Sequence, residues 1–307
     1  MNYQFYKKRF IFYGISVAII TIGIVVSFIA GIKLDIQFQG GSIVRYSYVG
    51  TIDNAKVLAA AEKAIGVEIS SIQENQNATT KSIAINVAGR EALTVAQTSA
   101  LRASLTSVEF KDYKFTFYDA TLVSPSIGAE YLQRGIYALL IASILIILYI
   151  WYRFRSMSTG PSAGFTALLA LFHDVIIVFV AFVIFRIPLN ESLIAVALTI
   201  IGYSTNDTIV IYDRIRENIR LENGKMALSD LVDKSINQSM TRSINTSAAT
   251  FGAVTVAYVF AAIYGINSIQ SFALPMMVGI LTGFYSTVFI ASPLWVDWKT
   301  RGARTGI

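Results

Sequence analysis

The chain has no cysteine and a single histidine among its 307 residues. Without cysteine there is no disulfide, no CxxC metal site and no thiol nucleophile, while the redox compartment stays open. A His-Glu-x-x-His zinc motif is absent as well, since the one histidine is followed by aspartate. Tyr212-Asp213 matches half of an intramembrane aspartyl protease site, but the Gly-x-Gly-Asp half is missing. The chain therefore reads as a non-enzyme, with no cofactor and no metal. Charge is scarce too: Asp, Glu, Lys and Arg make up 14%, against about 25% in soluble proteins.

What is abundant is apolar surface. Hydrophobic residues reach 54% and mean hydropathy is +0.58, more than a soluble protein of this length can hide in a core. A hydrocarbon layer of about 30 Å needs about 20 apolar residues per helix. Six stretches reach that length: Phe10–Ile32, Gly135–Tyr152, Gly164–Phe185, Leu193–Tyr212, Ile244–Tyr264 and Phe272–Trp295. The first is too long for a signal-peptide core, and cleavage after Ala30 would put Phe28 where a small residue is wanted, so it is expected to stay as a helix.

The net charge of +6 does not call for nucleic acid, because the basic residues sit just beyond the apolar stretches, where they orient helices in a bilayer. Lys7, Lys8, Arg9, Arg153, Arg155, Arg214, Arg216, Arg220, Lys225, Lys299, Arg301 and Arg304 share one side if the segments alternate. That side is expected to be cytoplasmic, with both termini.

Between the first two stretches the charges return. Ser42–Tyr48, Glu68–Gln76, Ser82–Val87 and Tyr113–Leu122 read as strands, Asp53–Ile65 and Glu91–Leu105 as helices. Strand, helix, strand, strand, helix, strand is the split βαβ order of a ferredoxin-like α+β domain. The expected organisation is a first helix within 1–32, an extracytoplasmic domain over 33–133, a five-helix bundle over 134–296 and a basic cytoplasmic tail over 297–307.

Ionisable residues inside membrane segments are costly and usually face the bundle interior. Asp207 lies in a polar island, Gly202 to Thr208, between apolar runs. Burial disfavours its charge and a nearby cation favours it, so it can relay protons, or stay neutral and hold helices together. Arg242 shares a helix face with Asn245, Thr246 and Ala249, at offsets of three, four and seven. It can pair with Asp207 or reach for the interface. His173 and Asp174 are adjacent, which puts their Cβ atoms about 100° apart, so they are expected not to form a single-face dyad. His173 can titrate near neutral pH or serve as a structural hydrogen-bonding group.

Longer runs carry a resemblance. Ile201 to Thr208, Asp213 to Asn218, Phe172-His173-Asp174-Val175, Asn237-Gln238, Arg242 to Ser247 and Ala291-Ser292-Pro293 resemble the SecF family, the smaller half of the bacterial SecD–SecF complex, over nearly the whole chain. One departure is Gln37, where the family usually carries Asp ahead of the paired glycines Gly40-Gly41. The resemblance implies a subunit of the resistance-nodulation-division transporter group. It would pair with SecD and associate with the SecYEG channel and a translocating preprotein, with YidC and YajC as further candidate partners. It implies that Asp207 and Arg242 conduct protons. Tyr203, Asn206, His173, Asp174, Asn245 and Thr246 are taken as supporting polar residues. A small-molecule or lipid exporter subunit of the same group, or an assembly factor with no titrating Asp207, are the competing readings.

The charge asymmetry makes a topological prediction: Ser71→Cys should react with an impermeant thiol reagent in spheroplasts and Asn223→Cys should not. Labelling at Asn223 alone would reverse the orientation.

Overall fold

The computed structural model describes residues 3–67, 69–76, 81–88, 93–123, 125–154 and 160–305. Glu68, Glu91 and Arg155, which enter the sequence reading, lie outside the described residues. Among the described residues six helices are long and apolar enough to cross a membrane: Tyr6–Ala30, Gly128–Arg153, Ser162–Ile184, Glu191–Glu222, Leu228–Ile263 and Asn267–Thr300. They correspond one to one with the six apolar stretches.

The first span holds helix α1 (Arg9–Ala30), whose 22 residues rise about 33 Å. Beyond Gly31 the chain is pinned to the opposite loop, where Asp35 N donates to Leu189 O at 2.9 Å and Leu189 N to Lys33 O at 2.8 Å. A short turn, α2 (Ile36–Gln39), then enters the domain through Gly40 and Gly41, at φ 80° and 147°. A Cβ on Gly41 would strike the Val87 carbonyl, so glycine is required there for conformation and for space.

The domain follows as β1 (Gly41–Tyr48), α3 (Asn54–Ile65), β2 (Ile69–Gln76), β3 (Lys81–Ala88), α4 (Val95–Leu105) and β4 (Thr116–Val123). The sheet order is β2-β3-β1-β4, antiparallel throughout. Alternate residues Val44, Tyr46 and Tyr48 of β1 meet Ile83, Ile85 and Val87 of β3 on the buried face, closed by Val57, Ala61, Leu101 and Leu105 of the helices. Asp53 caps α3, accepting from Ala55 N at 3.0 Å. Thr94 and Gln97 form a capping box on α4. Two domain boundaries differ from expectation by more than a residue. The helix expected from Glu91 begins at Val95, because Thr94 is its extended cap. Tyr113 ends a 3₁₀ turn, Val108–Tyr113, and the strand begins at Thr116, because Lys114 takes a left-handed φ of 47° while Phe110 and Phe115 turn into the core.

The bundle comprises α5 (Pro125–Phe154), α6 (Gly160–Ile184), α7 (Glu191–Glu222), α8 (Leu228–Ile263), α9 (Asn267–Ser286) and α10 (Ser292–Thr305), the last two joined by a π turn, Thr287–Ala291. α6, α7 and the α9–α10 span form its centre, burying 56%, 50% and 56% of their most apolar stretches, whereas α1, α5 and α8 bury 11% each. Close approach at the centre depends on small residues: a methyl on Gly279 would come within 2.5 Å of Ile200 Cγ1, and one on Gly283 within 3.1 Å of Ser204 Cβ. α7 and α8 extend past their apolar stretches, because hydropathy marks only the part in lipid. Their polar ends form a hairpin closed by Asn218 Nδ2 to Ser235 Oγ at 2.8 Å and Lys234 to Glu222 at 2.6 Å. The same end carries Arg153–Asp213 at 2.6 Å and Arg9–Asp297 at 3.1 Å, so the basic helix ends gather opposite the domain.

With its own helices covering its own sheet, the domain should fold when excised as residues 34–123 and melt cooperatively. Leu101→Ala, at 0% exposure, should cost about 2–5 kcal/mol. A random-coil dichroism spectrum, or an unchanged denaturation midpoint for Leu101→Ala, would contradict this.

Candidate functional site: two buried carboxyls in the bundle

On α8, Ser235, Ser239, Ser243 and Ser247 recur every four residues and are all buried. One helix face is therefore narrow and hydroxyl-bearing, and it lies against α7. There Ser243 Oγ donates to Asp207 Oδ1 at 2.6 Å, and Tyr203 OH donates to Ser247 Oγ at 3.1 Å. Asp207 is 7% exposed, and its Oδ2 is buried without a hydrogen-bond partner among the described residues. Half of the carboxyl is thus held and half is free.

Arg242, Asn245, Thr246 and Ala249 do share one face, as their spacing requires, and that face is exposed. Asn206 and Gly202 of α7 are exposed likewise. No ion pair joins Arg242 to Asp207 among the described residues. Arg242 instead lines a cleft of about 650 Å³ with Asp213, Arg214 and Gln238. The residue that meets the carboxyl is its neighbour Ser243, one step around the helix.

The second carboxyl corrects the expectation for His173 and Asp174. They do form a dyad, with Nδ1 and Oδ1 3.2 Å apart, because two side chains that leave the helix about 100° apart can still turn their tips together. Asp174 is 0% exposed. Its Oδ2 accepts from Ser204 Oγ of α7 at 2.7 Å and from Ser286 Oγ of α9 at 2.8 Å. His173 stacks on Tyr285 with centroids 6.1 Å apart, and its Nε2 is buried without a partner among the described residues. The sequence gives Asp174 only a supporting role, yet it is the more deeply buried of the two carboxyls.

Sequence reasoning missed Ser204, Ser243 and Ser286. The four-residue serine repeat was the available signal for Ser243, while Ser204, inside the polar island, and Ser286, between Tyr285 and Thr287, meet Asp174 only through tertiary packing. A Gly-x-Ser-x-Gly run, Gly160 to Gly164, is also present. It opens helix α6, the described residues before it are helix α5 rather than a strand, and Ser162 Oγ accepts from Trp295 Nε1 at 3.2 Å. It is therefore not a nucleophile elbow. No group of three or more metal-ligating side chains occurs among the described residues.

Spanning helices closed around two desolvated carboxyls define a polytopic membrane protein with ionisable groups inside its bundle. The family model described as "Protein export membrane protein SecD/SecF, C-terminal" matches residues 103–301. The SecF subunit of Petrotoga mobilis is 35% identical over 99% of this chain and 98% of its own length, and that of Alicyclobacillus acidocaldarius 33% identical over 95% and 92%. The SecDF of Brucella abortus is 33% identical over 98% of this chain, which spans only 38% of that protein. The crystal structure of SecDF from Thermus thermophilus matches with a TM-score of 0.76 at 27% identity, over 97% of this chain and 39% of that one. The chain belongs to the SecD/SecF family of protein-export membrane proteins, as a member of the SecF type.

The geometry makes Ser243 the residue that holds Asp207. Ser243→Ala should leave both carboxyl oxygens without a donor and lower bundle stability by about 1–3 kcal/mol, read as an earlier thermal transition in detergent. Ser239→Ala, one turn away on the same face, should shift it less. Equal shifts would show that only helix packing was perturbed.

Proposed function

We propose that this chain acts as the SecF-type subunit of the Sec translocation machinery, paired with SecD in the cytoplasmic membrane, where it uses the proton-motive force to assist preprotein export. The observation that carries the reading is the Asp207 carboxyl, buried with one oxygen held by Ser243 and the other without a hydrogen-bond partner among the described residues. A neutral acid is tolerated at such a place and a lone carboxylate is costly, so each proton bound or lost changes the preferred packing of α7 and α8. In the cycle we envisage, the deprotonated form draws in Arg242, which adjoins Ser243, and the protonated form releases it.

The outward polar face of Arg242, Asn245, Thr246 and Asn206 supports pairing with SecD. Such groups do not face lipid stably, and SecDF relatives carry a chain more than twice as long. The βαββαβ order and the β2-β3-β1-β4 sheet support a ferredoxin-like domain. The basic residues at the far end support its placement outside the cytoplasm, with both termini inside. Association with SecYEG, a preprotein, YidC and YajC rests on membership of the family.

Asp207→Asn keeps size and hydrogen bonding but cannot titrate. The complex should assemble normally and fail to support proton-driven export in a SecF-depleted strain. Arg242→Lys should be impaired less than Arg242→Ala, since it keeps the charge and loses only the planar fork. Full export by Asp207→Asn with the proton gradient intact would reduce Asp207 to a helix-holding residue.

A further inference from the structure

The cycle above leaves the second carboxyl unused, although its surroundings are the more organised. On the side of Asp174 nearer the basic end, hydroxyls continue in layers along the α6–α7–α9 junction. Thr208 Oγ1 and Thr287 Oγ1 stand 3.0 Å apart. One turn further, Tyr212 OH and Thr166 Oγ1 stand 2.9 Å apart, and Tyr212 OH also reaches Ala291 O at 3.4 Å. Ser204, Thr208 and Tyr212 recur every four residues on α7, so each layer lies about 6 Å below the last. Towards the domain the same junction is filled by Val178, Phe182, Val196, Ile200, Met276 and Ile280, all buried. Asp174 therefore has a polar seam on one side and an apolar plug on the other.

We propose that Asp174 is a second proton-binding carboxyl, which exchanges its proton with the basic end of the bundle along the Thr208–Thr287 and Tyr212–Thr166 hydroxyl seam. This rests on the proton-driven reading of the preceding section. The first shell accommodates both protonation states. As a carboxylate, Asp174 accepts from Ser204, Ser286 and a His173 N–H. When Oδ2 takes up the proton, Ser286 Oγ has a second acceptor in Gly283 O at 3.3 Å, so its hydroxyl hydrogen turns away and its oxygen can receive the new O–H. The proton that leaves Asp174 passes to a seam hydroxyl as that hydroxyl hands its own proton onward, and no net charge stays in the seam. Layers a helical turn apart cannot hydrogen-bond directly, so each step needs a side-chain rotation or a single water. The path is gated and is not an open channel: it leads from Asp174 to the basic end, and a proton reaches Asp174 from the domain side only in a state in which the α6–α7–α9 plug parts.

Among the described residues few other titratable groups face this site. His173 lies on the same helix. From α9, Tyr285 stacks on His173 and gives its own hydroxyl proton to Phe12 O of α1 at 2.6 Å. α1 adds Ser16, whose hydroxyl stands 3.3 Å from that of Tyr285. On α7, Tyr212 belongs to the seam and Asp207 turns to Ser243 of α8.

The test measures proton flux and its pH profile in proteoliposomes holding the complex with SecD, comparing Asp174→Asn, Thr208→Val, Tyr212→Phe and Asp207→Asn. Asp174→Asn should abolish flux, as Asp207→Asn does. Thr208→Val and Tyr212→Phe should slow it severalfold without altering assembly or the acidity at which it is half-maximal. Normal flux in Asp174→Asn beside lost flux in Asp207→Asn overturns this inference and leaves the proton-driven reading standing. Full flux in both variants overturns the reading and the inference together. Should Asp174→Asn fail to assemble, the two hydroxyl variants decide, and normal flux in both overturns the seam.

Discussion

A polar group inside hydrocarbon has no water to turn to, so whatever it needs must come from the protein. Asp174 makes that constraint structural. Its carboxyl takes a hydrogen bond from α7 through Ser204 and another from α9 through Ser286, and thereby fixes three central helices relative to one another. Glycine and serine follow from it. The distance over which a serine hydroxyl reaches a carboxyl is short, so the backbones must come close, and Gly283 against Ser204 is where they do.

The peripheral helices answer to a different rule. α1 and α5 expose apolar side chains such as Phe10, Phe28, Leu145 and Tyr149, as lipid-facing helices do. α8 instead alternates a serine face turned inward with a face of Arg, Asn and Thr turned outward. One helix thus carries two polar faces, one packed within this chain and one exposed.

Much of this was legible in the sequence because it follows from short-range chemistry. The six spans follow from hydropathy and length, and the βαββαβ order from alternating residues between capping signals such as Thr94 with Gln97. Asp207 stood out as a charge among apolar residues. What was not legible depends on side chains meeting across helices. Arg242 was singled out for its charge, yet Ser243 makes the contact, and the choice between adjacent residues depends on how far α8 is rotated about its axis. The serine repeat of α8 marks the inward face, and a reading led by charge alone passes it by. Likewise His173 and Asp174 looked divergent by backbone geometry alone, because Cβ directions say little about where a flexible tip ends.

The π turn at Thr287–Ala291 has a meaning for the phase of the sixth span. In an uninterrupted helix, Leu294 would lie eleven residues beyond Gly283 and almost in line with it, and Trp298 likewise beyond Thr287, since eleven residues make about three turns. The buried residue is instead Trp295, at 1% exposure, while Trp298 is 51% exposed. One extra residue in the turn advances everything after it by a single position, as a bulge does in a helix. The upper half can then be tuned for close contact with α7 through small residues, and the lower half for a large indole seated on Ser162 of α6. A mutation that lengthened or shortened this segment by one residue would leave each half intact and misalign the two, which makes it the torsional joint of the bundle.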